Sequence, residues 1–235
     1  MANCLENKKI LWNGDSICAG AKARGNWATR VAEHSGAECY NYAVGGGTIA
    51  EGLRPLLSGK ARHSVSRTLE QMWEEHPDAD YVILEGGTND ADLLEGPDMP
   101  SKLGSVEPED FSGNYDRTTF CGALESVFYR ATKYWNGKKI GFIIAHKMGV
   151  KEVSRVRRRK YFDMAVVICE KWGIPYLDLW KGCYLNPCLP WMYDDTKTPE
   201  ENYANDTGFY ADGQHLTSRG YDYTTQIVEK WIQSL

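Results

Sequence analysis

The feature that most constrains this chain is an alternation. Short apolar runs suited to strands take turns with longer segments of helical period, almost from end to end. "KKILWNG" (8–14) reads as a first strand. "NWATRVAEHSG" follows, with Asn26 placed to cap a helix and Gly36 placed to end it. "ECYNYAV" (38–44) is a second strand. "SVSRTLEQMWEEH" then puts Val65, Leu69, Met72 and Trp73 on one helical face. "DYVILEGG" is nearly all apolar, as a strand covered on both faces should be. A helix over "DRTTFCGALESVFYRATKYWNG" ends at Gly137, and "KKIGFIIAH" is a fourth strand. A helix over "SRVRRRKYFDMAVVICEKWG" ends at Gly173, "IPYLDLW" is a fifth strand, and a last helix starts near Thr217.

Strands alternating with helices predict an α/β fold with a parallel sheet joined by right-handed crossovers. No repeat, linker or low-complexity tract divides the 235 residues, so the expectation is one domain over 1–235, long enough to bury a core without staples. Two segments exceed plain connections. Residues 96–114 are rich in Gly, Pro and acids. Residues 181–211 hold Tyr184, Trp191, Tyr193, Tyr203, Phe209 and Tyr210. Both are expected to border a binding site.

Charge and composition narrow the function. A net charge of −5 does not favour nonspecific nucleic-acid binding. The basic run "RVRRRK" reads as a solvated helix face. No apolar run approaches the ~20 residues of a membrane helix, so no membrane partner is expected. The polar start "MANCLENKK" has no leader, which predicts a cytoplasmic protein, or a secreted one if a leader has been removed. Seven cysteines at irregular spacings, without CxxC, read as mostly reduced thiols, with Cys183 and Cys188 the nearest plausible disulfide pair.

In an open parallel sheet, ligands bind outside the carboxyl ends of the strands. The first strand ends at "GDS", the second at "NYAVGGGT", the third at "EGGTND", and the last long loop at "DGQH". Each could be bland taken alone. Ser16 suits a turn, Gly45–Gly47 a plain turn or a phosphate cradle, Asn89 and Asp212 helix caps, and His215 a surface position. The phosphate reading lacks both G-x-G-x-x-G and a following Lys-Ser/Thr. No His/Cys/Asp spacing makes a metal site, so neither metal nor cofactor is expected. Taken together, the four stretches supply what serine hydrolysis requires. A hydroxyl needs a base, the base needs an orienting carboxylate, and the developing oxyanion needs hydrogen-bond donors. Asp212 and His215, three apart at the mouth of a helix, would share a face. Cys18 stands where a G-x-S-x-G elbow needs its second glycine, which disfavours that hydrolase type.

The order GDS, Asn-led glycine turn, G-x-N-D and D-x-x-H, from Gly14 to His215, resembles the SGNH hydrolases, also called GDSL esterases and lipases. The resemblance implies a three-layer α/β/α sandwich around a five-stranded parallel sheet, and ester hydrolysis through an acyl-enzyme without metal or cofactor. It implies Ser16 as nucleophile, His215 as base and Asp212 as its acid. The oxyanion donors would be the N–H groups of Ser16 and Gly46 (Gly45 being the off-by-one alternative) and the amide of Asn89. Asp15, His146 and Trp191 are candidate substrate contacts, although Asp15 also fits a structural role in its own loop and His146 a bland one.

The natural substrate is less legible. Trp and Tyr in 181–211 suit stacking on sugar rings, and no apolar run suggests an acyl-chain groove. The lean is therefore a small-molecule or saccharide ester losing a short acyl group such as acetyl. The alternatives are a lipase, lysophospholipase or thioesterase acting on longer chains, an acyltransferase, and a non-catalytic carbohydrate-binding protein on the same scaffold. Oligomeric state is not legible.

Overall fold

A computed structural model describes residues 3–20, 25–52, 62–94, 102–205 and 208–235. Its strands are β1 (Lys9–Asn13), β2 (Glu38–Asn41), β3 (Tyr81–Glu85), β4 (Lys139–Ile144) and β5 (Tyr176–Asp178). They form one five-stranded sheet in the order β2-β1-β3-β4-β5, every pair parallel. The principal helices are α2 (Trp27–Ser35), α3 (Val65–Glu75), α5 (Phe120–Tyr134), α6 (Glu152–Trp172) and α9 (Ser218–Ser234). The connection from β1 to β2 steps one way along the sheet, and every later step goes the other way. With right-handed crossovers, α2 must then lie on the face opposite α3, α5 and α6. The helix contacts agree: α2 packs on α9, while α3, α5 and α6 pack in a row. The expected α/β/α sandwich is the fold observed.

Local chemistry sets the boundaries. The Asn26 side chain accepts the Thr29 N–H at 2.9 Å, and Gly36 ends α2 at φ 75°. Thr217 caps α9 by accepting from Gly220, and Gly173 closes α6 in the left-handed region. The second strand is shorter than its apolar run. Asn41 turns its side chain onto the Ala43 N–H and the Cys18 carbonyl, which ends β2 four residues in. The fourth-strand crossover helix begins at Phe120 rather than near Asp116, because Thr119 is extended and its hydroxyl accepts the Gly122 N–H. Shorter helices were not visible in the hydrophobic pattern: α1 (Ser16–Ala19), α4 (Thr88–Leu94), α7 (Leu179–Gly182) and α8 (Pro199–Asn205). The first two begin at the carboxyl ends of β1 and β3.

The described parts of the two long segments pack largely onto the domain. Residues 96–101 lie outside the described residues. The described remainder, 102–114, is held to helices rather than to a site: Lys171 donates to the carbonyls of Glu107 and Asp110, and Phe111 meets Trp172 edge-on. In 181–211 several aromatics pack the loop onto the domain. Tyr210 is buried and donates to the Lys147 carbonyl, Phe209 lies against Tyr223, and Tyr193 abuts Gly213. Tyr184 and Trp191 stay exposed. Cys183 and Cys188 are both free thiols, the first buried and the second exposed, so the plausible pair is not a disulfide.

Candidate active site

β1 ends in a space too tight for a side chain. A Cβ on Gly14 would lie 2.6 Å from Glu85 Oε2 and 2.8 Å from the Cys18 Cβ. Asp15 then caps α1, its Oδ1 accepting the Ile17 N–H at 2.8 Å. Ser16 is therefore the first residue of a helix, where the backbone N–H has no intrahelical acceptor. Asp15 was a candidate substrate contact. It is instead 1 % exposed and occupied with its cap, and its backbone N–H donates to Glu85 Oε2 at 3.1 Å. Burial raises the carboxyls of both Asp15 and Glu85, Glu85 the more strongly, and the Asp15 charge adds to the effect on Glu85.

Across the sheet edge, Ser16 Oγ lies 2.9 Å from His215 Nε2, and His215 Nδ1 lies 2.7 Å from Asp212 Oδ2. Asp212 and His215 come together in the loop just before α9, which Thr217 caps and which starts at Ser218. Asp212 Oδ1 accepts the backbone N–H groups of Gln214 at 3.0 Å and His215 at 2.7 Å, which wraps the segment around the carboxylate. Gly213 supplies the left-handed residue this needs, at φ 73°. Burial pushes the Asp212 carboxyl up, but hydrogen bonds from the His215 ring and from backbone N–H groups outweigh it and hold it at about 2.

His146 does not line the site. It is fully buried behind the loop, with Nε2 2.8 Å from the Gln214 carbonyl. A carbonyl only accepts, so Nε2 carries the proton. Burial lowers this imidazole to about 4 and keeps it neutral. The basic run is not simply a solvated face either. Arg158 is 6 % exposed and donates to Asp92 Oδ2 at 2.7 Å and to Gln214 Oε1 at 2.8 Å, tying α4 and α6 to the His215 loop. Trp191 is 70 % exposed, and no hydrogen bond or ring contact among the described residues ties it to Ser16 or His215.

The glycine turn closes the site on the other side. Gly47 N–H donates to the Val44 carbonyl at 2.9 Å, and Gly46 has φ 78°, the positive value that the third residue of a type II turn requires. The Gly46 N–H belongs to the middle peptide of this turn and finds no acceptor among the described residues. The same holds for the Gly45 N–H. A Cβ on Gly45 would lie 4.0 Å from the Ser16 Cβ, so the turn runs against the serine, and the choice between the two glycines stays open. Asn89, on the first turn of α4, donates one amide hydrogen to the Gly47 carbonyl at 2.9 Å and keeps the second. Asp90 accepts from Ile49 and Ala50 at 2.9 Å and anchors the chain beyond the turn. Arg62 Nη1 donates to the Gly46 carbonyl at 2.8 Å.

The structure thus brings Ser16, His215, Asp212, the glycine turn and Asn89 to the carboxyl edge of β1 and β3. Sequence reasoning missed Glu85, Arg62, Gln214 and Arg158. Glu85 carried a signal: it is a carboxylate inside a strand otherwise apolar enough to be covered on both faces. Among the described residues no group of three or more His, Cys, Asp or Glu could hold a metal ion.

A profile of the GDSL-like Lipase/Acylhydrolase family matches residues 13–223. No curated protein sequence matches the chain. Among solved structures, a protein from Lactobacillus plantarum superposes with a TM-score of 0.72 at 21% identity, covering 97% of this chain and 98% of its own. A carbohydrate acetylesterase family member from Sinorhizobium meliloti gives 0.62 at 13% identity, covering 97% and 98%. A catalytic mutant of an acetylxylan esterase from Geobacillus stearothermophilus gives 0.58 at 15% identity, covering 98% and 96%. These likenesses extend the fold over the whole chain, and the family match spans the three motif-bearing strand ends and the Asp212–His215 loop. The chain belongs to the GDSL-like Lipase/Acylhydrolase family of SGNH-type serine ester hydrolases.

Proposed function

We propose that this protein hydrolyses a carboxylic ester through an acyl-enzyme on Ser16, and that it removes short acyl groups such as acetyl from a carbohydrate. The observation that carries the chemistry is the chain of contacts from Ser16 Oγ to His215 Nε2 at 2.9 Å and from His215 Nδ1 to Asp212 Oδ2 at 2.7 Å. His215 takes the hydroxyl proton as Oγ attacks the ester carbonyl. Asp212, ionised throughout the neutral range, fixes the tautomer and balances the imidazolium. The Ser16 and Gly46 N–H groups and the second amide hydrogen of Asn89 receive the oxyanion. The tetrahedral intermediate collapses, the leaving alcohol takes the proton from His215, and the acyl group stays on Oγ. His215 then activates water, and the carboxylate product leaves with Ser16 restored.

The carbohydrate lean is supported by the two acetylesterase likenesses named above and by the exposed Trp191 and Tyr184, whose faces are available to a sugar ring. The test is hydrolysis of p-nitrophenyl acetate against p-nitrophenyl octanoate, wild type beside Ser16→Ala, followed by acetate release from acetylated oligosaccharides. Acetate turnover that vanishes with Ser16 supports the reading. Octanoate preference favours a longer-chain lipase or thioesterase. Retained activity in Ser16→Ala would sink the nucleophile assignment.

A further inference from the structure

Arg62 is built into the glycine turn, yet no carboxylate among the described residues pairs with it. Arg30, Arg117, Arg130, Arg157, Arg158 and Arg159 each pair with a carboxylate. Arg62 makes no ion pair among the described residues. Its one hydrogen bond is from Nη1 to the Gly46 carbonyl, and its Nε is buried without a partner. A guanidinium offers five N–H donors and stays charged at any working pH, so most of this group's capacity is unused. Partly burying an unbalanced charge is unfavourable unless an anion completes it.

The position is next to the reacting centre. Nη1 lies 2.7 Å from where a Cβ on Gly46 would stand, and the corresponding point on Gly45 is 4.0 Å from the Ser16 Cβ. One residue step is ~3.8 Å, so the guanidinium stands one step along the turn from the glycine that runs against Ser16. The oxyanion itself has its own proposed donors in Ser16, the glycine turn and Asn89. A second negative group is what Arg62 can take, and the planar fork suits a carboxylate.

We infer that Arg62 forms an anion subsite beside the glycine turn and selects esters that carry a carboxylate. This rests on the ester-hydrolase reading above. If the substrate is a carbohydrate, it is then an acylated sugar acid.

The test is a selectivity ratio in two arms, because the carboxylate could sit on either side of the ester. On the alcohol side, kcat/KM for 4-acetoxybenzoate is divided by that for methyl 4-acetoxybenzoate. On the acyl side, p-nitrophenyl hemisuccinate is divided by p-nitrophenyl butyrate. In wild type one ratio favours the anion, and added salt lowers it. Arg62→Gln collapses that ratio by about 10–100-fold, the range of a charge-assisted hydrogen bond, whatever common factor both esters lose through the turn. Arg62→Lys keeps the charge and retains part of the preference. Ratios left unchanged by Arg62→Gln in both arms would overturn the inference and leave Arg62 as a pin for the Gly46 carbonyl. If wild type cleaved none of the four esters, the hydrolase reading would fall separately. Binding of 4-acetoxybenzoate and of succinate monoesters to Ser16→Ala, with and without Arg62→Gln, would still decide the subsite: weakening upholds it, and equal affinity ends it.

Discussion

Glu85 Oε2 accepts the backbone N–H of Asp15 at 3.1 Å, so the last residue of β3 holds the residue that precedes Ser16. Both side chains are buried, and one oxygen of each, Asp15 Oδ2 and Glu85 Oε1, has no hydrogen-bond partner among the described residues. A single proton kept by Glu85 removes one buried charge and turns Glu85 into a donor toward Asp15. Its carboxyl is raised well above the ordinary value by burial first and the Asp15 charge second, more strongly than that of Asp15, which favours Glu85 as the holder of that proton.

Replacing Glu85 separates the donor from the charge. Glu85→Gln keeps a donor and is expected to hold kcat near wild type. Glu85→Leu leaves Asp15 buried and unmatched, and is expected to cost roughly 2–4 kcal/mol in urea unfolding and to lower kcat. The sign of the pH effect follows from the raised value. Stability from a carboxyl raised in the folded state is fully present below its unfolded pKa and is lost as pH rises through its folded one. Glu85→Gln should flatten that alkaline loss, measured as urea midpoint against pH. An equally steep loss in Glu85→Gln would place the proton elsewhere.

Asp90 gives a second, separable pH effect. Burial raises its carboxyl from 3.8 to about 7, partly offset by the N–H groups of Ala50 and Ile49. The folded protein therefore holds a proton that the unfolded chain releases near 3.8, and Asp90's contribution to stability falls between there and about 7. The full loss is on the order of 4 kcal/mol. Asp90→Asn keeps an acceptor for the same N–H groups without the charge. Thermal midpoints from pH 4 to pH 8 should fall less in this variant, and a decline as steep as wild type would remove Asp90 as the cause.

Asp212→Asn tests the orientation of His215. The amide can still meet the backbone N–H groups of Gln214 and His215, so the loop should keep its shape. It offers no charge to the imidazolium, and kcat is expected to fall by about 10⁴-fold at neutral pH with little change in KM. A fall of less than tenfold would show that His215 works without this carboxylate.

Asn89→Ala removes two things: a donor into the oxyanion space and the bond to the Gly47 carbonyl. The expected drop in kcat is roughly 10²–10³-fold. Asn89→Asp also removes both roles, because a carboxylate donates to neither oxygen, and it adds repulsion toward the oxyanion, so it should be at least as damaging. Wild-type kcat in Asn89→Ala would exclude the amide from the hole.

How much of this was legible depends on whether the signal was local. Strand and helix periods, the cap at Asn26, the start of the last helix near Thr217, and the C-terminal glycines of α2 and α6 are properties of neighbouring residues, and they read correctly. The motif residues were legible because Ser16, Asn89, Asp212 and His215 sit where the chain leaves a strand or enters a loop. For Asp15 and His146 the sequence left a structural reading beside a substrate contact, since adjacency in sequence to Ser16 or to a strand end does not say which way a side chain turns. Asp15 turns into its own helix cap, and His146 turns behind the His215 loop.

From residue order alone came the alternation that dictates a parallel sheet, the edge of that sheet where a site must lie, and the residue types serine hydrolysis requires. Tertiary structure alone decided the partners of the buried charges. Glu85 meets Asp15 seventy residues away, Arg158 reaches Gln214 from another element, and Arg62 meets Gly46 with no acid paired to it among the described residues. The physical reason is that period and capping act over a few residues along the chain. The energy of a buried charge depends on what the fold places within a few ångströms of it, and no local pattern records that.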